Sequence, residues 1–243
     1  MPSGKKYRNP PINETVCELR IIPGIPWDLA VPGMIYDRLK RSFPKRRQVK
    51  TVEATLIGGA VRMQESERLQ FLQEDEQALI MVGKDVLSVS RLKPYLGWEA
   101  FLPLILEVFE AYKEITTPTG FLRLGLRYIN QINFKEERLK LEDFFNFYPY
   151  MGKQLPQDHG AFITGIQLAY EDGRDALRLQ FASAETAPGF RLSLILDLDY
   201  FSADSAKITV VDLEPWLNNA HARLGETFEG CLKDNARRFF QEA

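Results

Sequence analysis

Seven basic side chains lie between residues 38 and 50, in the segment RLKRSFPKRRQVK, which contains no acidic residue. Such a cluster can neutralise phosphate groups and bind nucleic acid with a strong dependence on salt. A solvated helix end and loop would have the same composition, because cations are stabilised near a helix C-terminus. No aromatic stacking motif accompanies the cluster, so we favour the solvated surface. The candidate nucleic-acid contacts are Arg41, Lys45, Arg46, Arg47 and Lys50.

Two arginines of the segment RLGLRYINQI share one face of a predicted strand. Arg123 and Arg127 could together hold a phosphate or a carboxylate through bidentate hydrogen bonds, which makes them a candidate anion-binding site. Arginines on a sheet also pair with acids on neighbouring strands, and we favour this alternative. Asn130 lies on the apolar face of the same strand, where we predict a buried hydrogen bond.

Asp197 and Asp199 are two residues apart on another predicted strand, so their side chains point the same way. Asp212 or Glu214 could join them from the next strand, and metal ions that assist phosphoryl transfer bind such groups. Acids that pair with the two arginines across the sheet would show the same pattern. We favour the ion pairs and predict no metal ligand and no cofactor.

Neither histidine has the surroundings of a catalytic or metal-binding group. His159 lies in a loop with proline and glycine, and His221 lies on the last predicted helix. Neither has the nearby Cys or Asp of a nucleophilic or zinc site. The sequence also lacks a Walker loop, a dinucleotide fingerprint, and the HExxH and GxSxG motifs. We therefore predict no catalytic residue, although an unfamiliar enzyme class stays open.

An irregular connection over residues 135–160 contains the segment FFNFYPY, in which five of seven residues are aromatic. We call residues 144–150 the aromatic connection. Aromatic side chains are enriched at protein interfaces, so this segment is a candidate contact surface. It could equally be part of the chain's own core beneath a long loop. The candidate interface residues are Phe144, Phe145, Phe147, Tyr148 and Tyr150.

The composition describes a globular chain without a strong net charge. Its 243 residues are 45% hydrophobic and 26% charged, with a formal net charge of −2, so a nucleic-acid or membrane partner would need a local patch. Two distant cysteines cannot form a disulfide framework, which indicates a reducing compartment. The N-terminus lacks the apolar stretch of a signal peptide, and the apolar segment 101–109 is too short to span a bilayer. We expect a cytoplasmic protein with no membrane partner.

Hydrophobic periodicity predicts an α+β fold, in which about eight or nine antiparallel strands form two meander groups and three main helices pack on one face. The number of sheets stays open. The first strand is expected over 14–22 with Cys17 on its buried face, and the last over 206–213. The expected helices cover 29–43 with Asp28 as cap, 97–115 and 214–240, with a short helix near 141–147.

The chain divides into an N-terminal α+β half (1–134), the irregular connection (135–160), and C-terminal strands with a terminal helix (161–243), unless these form one continuous domain.

Six segments are distributed over most of the chain, namely PPINETVCELRI, ERLQF, LKPYLGWEAF, RLGLRYINQI with its GLRYIN motif, LDLDYF, and residues 221–228. Together these segments resemble a sporadically distributed family of uncharacterised prokaryotic proteins of similar length. The resemblance carries no activity and no catalytic residue. It implies a prokaryotic cytoplasmic protein of patchy occurrence, a pattern associated with defence and mobile-element genes.

We interpret the chain as a non-catalytic binding or regulatory protein, in a defence or mobile-element context. Its expected partner is another protein or a second copy of itself. The alternative is a nucleic-acid-binding or metal-dependent nucleic-acid-processing protein, which would use the basic cluster and the aspartates.

Overall fold

One antiparallel sheet forms the centre of the described part of the protein. The computed structural model describes residues 7–28, 30–57, 60–156 and 160–241, with the backbone alone described in 51–57 and 60–67. The strands are β1 (Ile12–Ile22), β2 (Lys45–Ile57), β3 (Ala60–Leu72), β4 (Ala78–Val82), β5 (Val86–Leu92), β6 (Gly120–Phe134), β7 (Ile163–Tyr170), β8 (Asp175–Ser183) and β9 (Leu192–Ser202). The helices are α1 (Ala30–Leu39), α2 (Trp98–Thr116), α3 (Leu213–Cys231) and α4 (Asp234–Gln241).

The strand order is β2-β3-β4-β5-β1-β6-β9-β8-β7, and all neighbouring strands are antiparallel. This confirms the predicted α+β class and shows one continuous sheet. The two halves of the chain share one feature of connectivity, since β1 pairs with β5, the last strand of the first meander, and β6 pairs with β9, the last strand of the second. A helix follows each meander. The division into three segments stays a prediction.

The helices cover one face of this sheet, because strand residues alternate between an apolar and a polar side. On β1 the apolar side contains Cys17, Leu19 and Ile21, all buried, as the sequence predicted. On β6 Leu124 and Leu126 continue that side. No helix among the described residues is long and apolar enough to cross a membrane.

Helix α2 lies one residue from its predicted bounds, and α1 begins after the predicted cap. The Ala30 N–H donates to Asp28 Oδ1 at 2.8 Å, which satisfies one of the free amides of the first turn. Helix α1 ends at Leu39 rather than at Phe43, and in the turn that follows the Ser42 and Phe43 N–H groups both donate to the Leu39 carbonyl, at 3.0 and 2.8 Å. The expected helix near 141–147 is a single 3-10 turn over Leu141–Asp143.

Two sequence predictions in the C-terminal half were wrong. The segment 206–213 forms 3-10 turns around Ser205–Lys207 and Val210–Asp212 instead of a strand. The predicted helix 214–240 is divided into α3 and α4 at Leu232, which is extended and forms a β-bridge with Phe145. Helical periodicity continues through this point, so only the distant contact with Phe145 reveals the break.

We predict that the aromatic residues of α2 contribute strongly to stability. Phe101 is 1% exposed, so Phe101→Ala should lower the free energy of unfolding by about 3–5 kcal/mol through lost burial and the cavity left behind. Phe190, at 37% exposure, provides the control, and Phe190→Ala should cost less than about 1 kcal/mol. Urea unfolding measures both changes. Similar losses of unfolding free energy in the two variants would contradict the burial of the aromatic residues of α2.

Candidate functional site

Three segments distant in the sequence meet between α2, α3 and β6. Tyr95 and Trp98 come from LKPYLGWEAF, Tyr128 comes from the central motif, and His221 comes from α3. We call these four residues the Tyr–His cluster. The alternation of β6 turns Tyr128 towards the helices, where the first turn of α2 and the middle of α3 meet it. Sequence reasoning placed His221 on the last predicted helix and did not find this cluster.

Hydrogen bonds and ring stacking join the members of the Tyr–His cluster. The Tyr95 and Tyr128 hydroxyl oxygens are 3.0 Å apart, and the Tyr128 hydroxyl is 3.0 Å from His221 Nδ1. The Trp98 and His221 rings stack with centroids 4.4 Å apart and an interplanar angle of 7°. Trp98 Nε1 donates to Asn218 Oδ1 at 3.0 Å. The cluster thus connects the two long helices to the centre of the sheet.

Burial keeps the Tyr–His cluster uncharged near neutral pH. It lowers the pKa of His221 from 6.5 to about 4, although the negative charge of Glu99 acts in the opposite direction. Burial also raises the pKa of Tyr95 to about 12 and that of Tyr128 well above its ordinary value. The Tyr128 hydroxyl and Nδ1 of the neutral imidazole share one hydrogen, and the imidazole tautomer determines which of the two donates it. A weakly basic imidazole beside two weakly acidic phenols suits structural positioning better than acid–base catalysis near pH 7.

The arginines predicted as an anion site lie on the face of the sheet opposite the helices, which we call the helix-free face. Arg127 Nε donates to Asp197 Oδ1 at 2.8 Å, and Arg123 Nη2 donates to Asp199 Oδ2 at 3.0 Å. Arg123 also lies 3.4 Å from Glu18 Oε1. The structure therefore contains ion pairs between these arginines and acids on neighbouring strands, as we favoured from the sequence. Anion binding by the two arginines stays a prediction.

Neighbouring groups hold the ion pairs of Arg123 and Arg127 in place. The Arg123 guanidinium lies over the Phe201 ring at 5.0 Å from its centroid, and a Cβ on Gly125 would come within 2.5 Å of Arg123 Nη1. Burial raises the pKa of Asp199, against the opposite effect of Arg123, Arg127 and Arg178. The hydrogen bond with Asp197 raises the pKa of Arg127.

The acidic residues proposed as metal ligands do not come together. Asp197 and Asp199 pair with arginines, whereas Asp212 accepts the Thr209 N–H at 2.9 Å in the turn before α3. Glu214 lies in the first turn of α3. Among the residues that the structure describes, no group of three or more His, Cys, Asp or Glu side chains could hold a metal ion. His159 lies outside the described residues.

The basic cluster is divided between the end of α1, where Arg38 lies in the last turn, the turn that follows, and the edge strand β2. Arg41 is exposed after α1, and the other four candidates lie on β2, whose side chains alternate between the two faces. Three of these cations have partners within the chain. Lys45 lies 3.2 Å from Glu76 Oε1, Arg46 lies over the Tyr36 ring at 4.9 Å, and Arg47 Nε donates to Gln70 Oε1 at 2.6 Å.

The aromatic connection is partly core and partly surface. Phe145 is buried in the chain's own core and packs on Phe181 with ring centroids 4.8 Å apart. Three further rings are half-buried against the same core, namely Phe144, Phe147 and Tyr148. Tyr150 is 79% exposed. Phe145 therefore belongs to the chain's own core. Contact between the aromatic connection and a partner stays a prediction.

A cleft of about 360 Å³ opens beside the aromatic connection, between β7, β8 and the end of α3. Phe147, Leu168 and Leu179 give it an apolar lining, and Glu226 lies among its polar residues. Cys231 also lines the cleft, but burial raises its pKa to about 12, so its thiol stays protonated and unreactive near neutral pH.

Asp175 is a fully buried acid that sequence reasoning missed. Its Oδ1 accepts the Trp216 Nε1–H at 3.0 Å, and its Oδ2 accepts the Tyr200 hydroxyl at 3.0 Å and Arg174 Nη2 at 2.6 Å. These bonds join β8, β9 and α3. The sequence EDGR before it indicates a turn, and nothing in that pattern distinguishes Asp175 from an exposed acid.

Comparison with known proteins adds no functional assignment. No protein-family profile matches the sequence, and no curated protein matches it significantly.

We predict that acid weakens the fold through His221. The folded-state pKa of about 4 lies below the unfolded value near 6.5, so the unfolded chain binds the proton first. The contribution of His221 is fully present above about pH 6.5 and is lost as the pH falls towards 4, by roughly 1–2 kcal/mol at about pH 5. Urea unfolding at about pH 7.5 and pH 5 should show a smaller loss in His221→Gln than in the wild type. Equal losses of unfolding free energy in the variant and the wild type would show that His221 is not the source of the acid dependence.

We also predict that the basic cluster binds nucleic acid only weakly. Five of its seven cations have partners among the described residues, so binding of a labelled oligonucleotide should disappear by about 150 mM salt. Fluorescence anisotropy across a salt series measures this. Binding that persists at that salt and is lost in the double variant Arg46→Ala with Arg47→Ala would support the nucleic-acid alternative.

Proposed function

We propose that this chain is a non-catalytic binding or regulatory protein that recognises another protein or a second copy of itself. The observation that carries this proposal is a firmly held aromatic segment with an exposed end. Phe145 anchors the aromatic connection in the core, while Tyr150 is 79% exposed five residues later. A solvated loop does not need such a sequence.

The hydrogen bonds of the aromatic connection support a preorganised surface. The Asn146 N–H donates to the Cys231 carbonyl at 2.8 Å, and Asn146 Nδ2 donates to the Gly230 carbonyl at 2.9 Å. The Lys233 N–H donates back to the Phe144 carbonyl at 2.8 Å. These bonds hold the aromatic connection at the break between α3 and α4. Binding of a partner would therefore cost little entropy for ordering this segment.

The adjacent cleft gives the surface a shape that a partner side chain could fill. Phe147 belongs to both the aromatic connection and the cleft, and Leu168 and Tyr170 bring β7 to the same place. Exposed tyrosine suits an interface, because its ring covers apolar area while its hydroxyl forms hydrogen bonds. The proposed binding surface therefore consists of the aromatic connection, the cleft and β7.

The resemblance to a sporadic prokaryotic family supports the cellular part of the proposal. A cytoplasmic protein of a defence or mobile-element system would act by binding a component of that system, and the proposed mechanism requires no cofactor.

Site-specific photo-crosslinking tests this proposal. The photoreactive residue p-benzoylphenylalanine replaces Tyr150 in one variant and Val211 in the control, in cells of the organism that encodes the chain. Val211 is 84% exposed and precedes the first turn of α3, whereas the cleft lies at the other end of that helix. We expect one discrete adduct at position 150, about tenfold more abundant than any adduct at position 211.

Mass spectrometry of the adduct identifies the partner and shows whether it is a second copy. No adduct at position 150, or equal labelling at both positions, would contradict a binding surface at the aromatic connection.

A further inference from the structure

The two outer edges of the sheet differ in charge. At one edge, the first six residues of β2 include Lys45, Arg46, Arg47 and Lys50. At the other edge, β7 has the sequence ITGIQLAY, with no charged residue and no proline. Charged residues and prolines are the usual means by which proteins protect an edge strand from pairing with another chain. The β7 edge has neither.

The alternating hydrogen bonds between β7 and β8 show which backbone groups of β7 point away from the sheet. The Ser183 N–H donates to the Phe162 carbonyl at 3.0 Å, so the even-numbered residues of β7 exchange hydrogen bonds with β8. The N–H and carbonyl groups of the alternate residues point away from β8. These residues are Ile163, Gly165, Gln167 and Ala169. Among the described strands, only β8 pairs with β7.

We propose that β7 pairs antiparallel with β7 of a second copy, around a two-fold axis at Ile166, and joins the two sheets into one. This register places Ile163 opposite Ala169 of the second copy and Gly165 opposite Gln167, so all four outward residues find partners. Pairing would also cover Ile163 and Ile166, which are 73% and 45% exposed.

Charge argues for a second copy as the occupant. An uncharged strand is complementary to itself, and the acidic residues after β7, Glu171 and Asp172, lie in the turn that leads to β8, beyond the paired residues 163–169. No like charges meet across the pair. The cations of β2 oppose a similar pairing at the other edge, so assembly stops at a closed dimer instead of continuing as a fibre.

This inference rests on the proposed function, because it names a second copy as the partner of the surface to which β7 belongs. The dimer also leaves the helix-free face and the basic β2 edge accessible, since only the β7 edge is used.

Two substitutions test the pairing. Gln167→Pro removes an outward N–H without affecting a bond to β8, a position where an edge strand tolerates proline. Ile166→Lys places two lysines opposite each other at the axis, where side chains of a non-hydrogen-bonded pair are closest. Gln167→Ala keeps the backbone donor and is the control. Thermal unfolding confirms that each variant is folded.

Sedimentation equilibrium is the measurement. The wild type and Gln167→Ala should be dimers at about 50 µM, and both disruptive variants should dissociate at least about tenfold more readily. An equimolar mixture of Ile166→Lys and Ile166→Glu copies should form a dimer, because opposite charges then face each other. This rescue would not occur if Ile166 lay away from the axis.

A wild-type monomer at about 100 µM would overturn the inference, as would a dimer that persists in folded Gln167→Pro and Ile166→Lys. A monomer that still gives an adduct with another protein at position 150 overturns this inference and leaves the proposed function standing. A β7-dependent dimer without an adduct at position 150 supports the inference and contradicts the proposed contact at Tyr150.

Discussion

The antiparallel pairing of β1 with β6 determines where the other elements lie. Cys17 and Leu126 face each other in this pair and are fully buried, at the middle of the sheet. Each central strand also pairs with the last strand of its own meander, so the meanders extend outward in opposite directions. The helix after each meander returns over the same apolar face. Each fully buried apolar side chain there contributes roughly 1.5–3 kcal/mol, which makes this face the main source of stability.

Several buried polar groups on the helix side of the sheet have hydrogen-bond partners. Asn130 is 1% exposed and donates through Nδ2 to the Leu196 carbonyl at 3.0 Å, as the sequence predicted. Tyr128 reaches His221, and Asp175 reaches Trp216. Because an unsatisfied buried polar group costs about 1–3 kcal/mol, these bonds help specify how the helices lie on the sheet. The helix-free face instead depends on ion pairs between neighbouring strands, where removal of one partner would leave the other charge partly buried.

The features proposed for binding are gathered at one side of the sheet. The aromatic connection closes the break between α3 and α4, the cleft lies next to it, and β7 forms the nearby uncharged edge. The opposite edge has the basic side chains of β2 and a tyrosine–arginine contact. This asymmetry separates a surface suited to protein contact from one protected by charge, which is why we place the two candidate functions at opposite edges.

The sequence by itself determined the α+β class, the buried face of β1, the Asp28 cap and the position of α2, because each depends on periodicity or on neighbouring residues. It also predicted that Arg123 and Arg127 could pair with acids. The particular partners, Asp199 and Asp197, follow from the register of β6 with β9. The single sheet, the break at Leu232, the burial of Asp175 and the meeting of Tyr95, Tyr128 and His221 were decided by tertiary structure. Each of these depends on contacts between residues distant in the chain, and local patterns do not record such contacts.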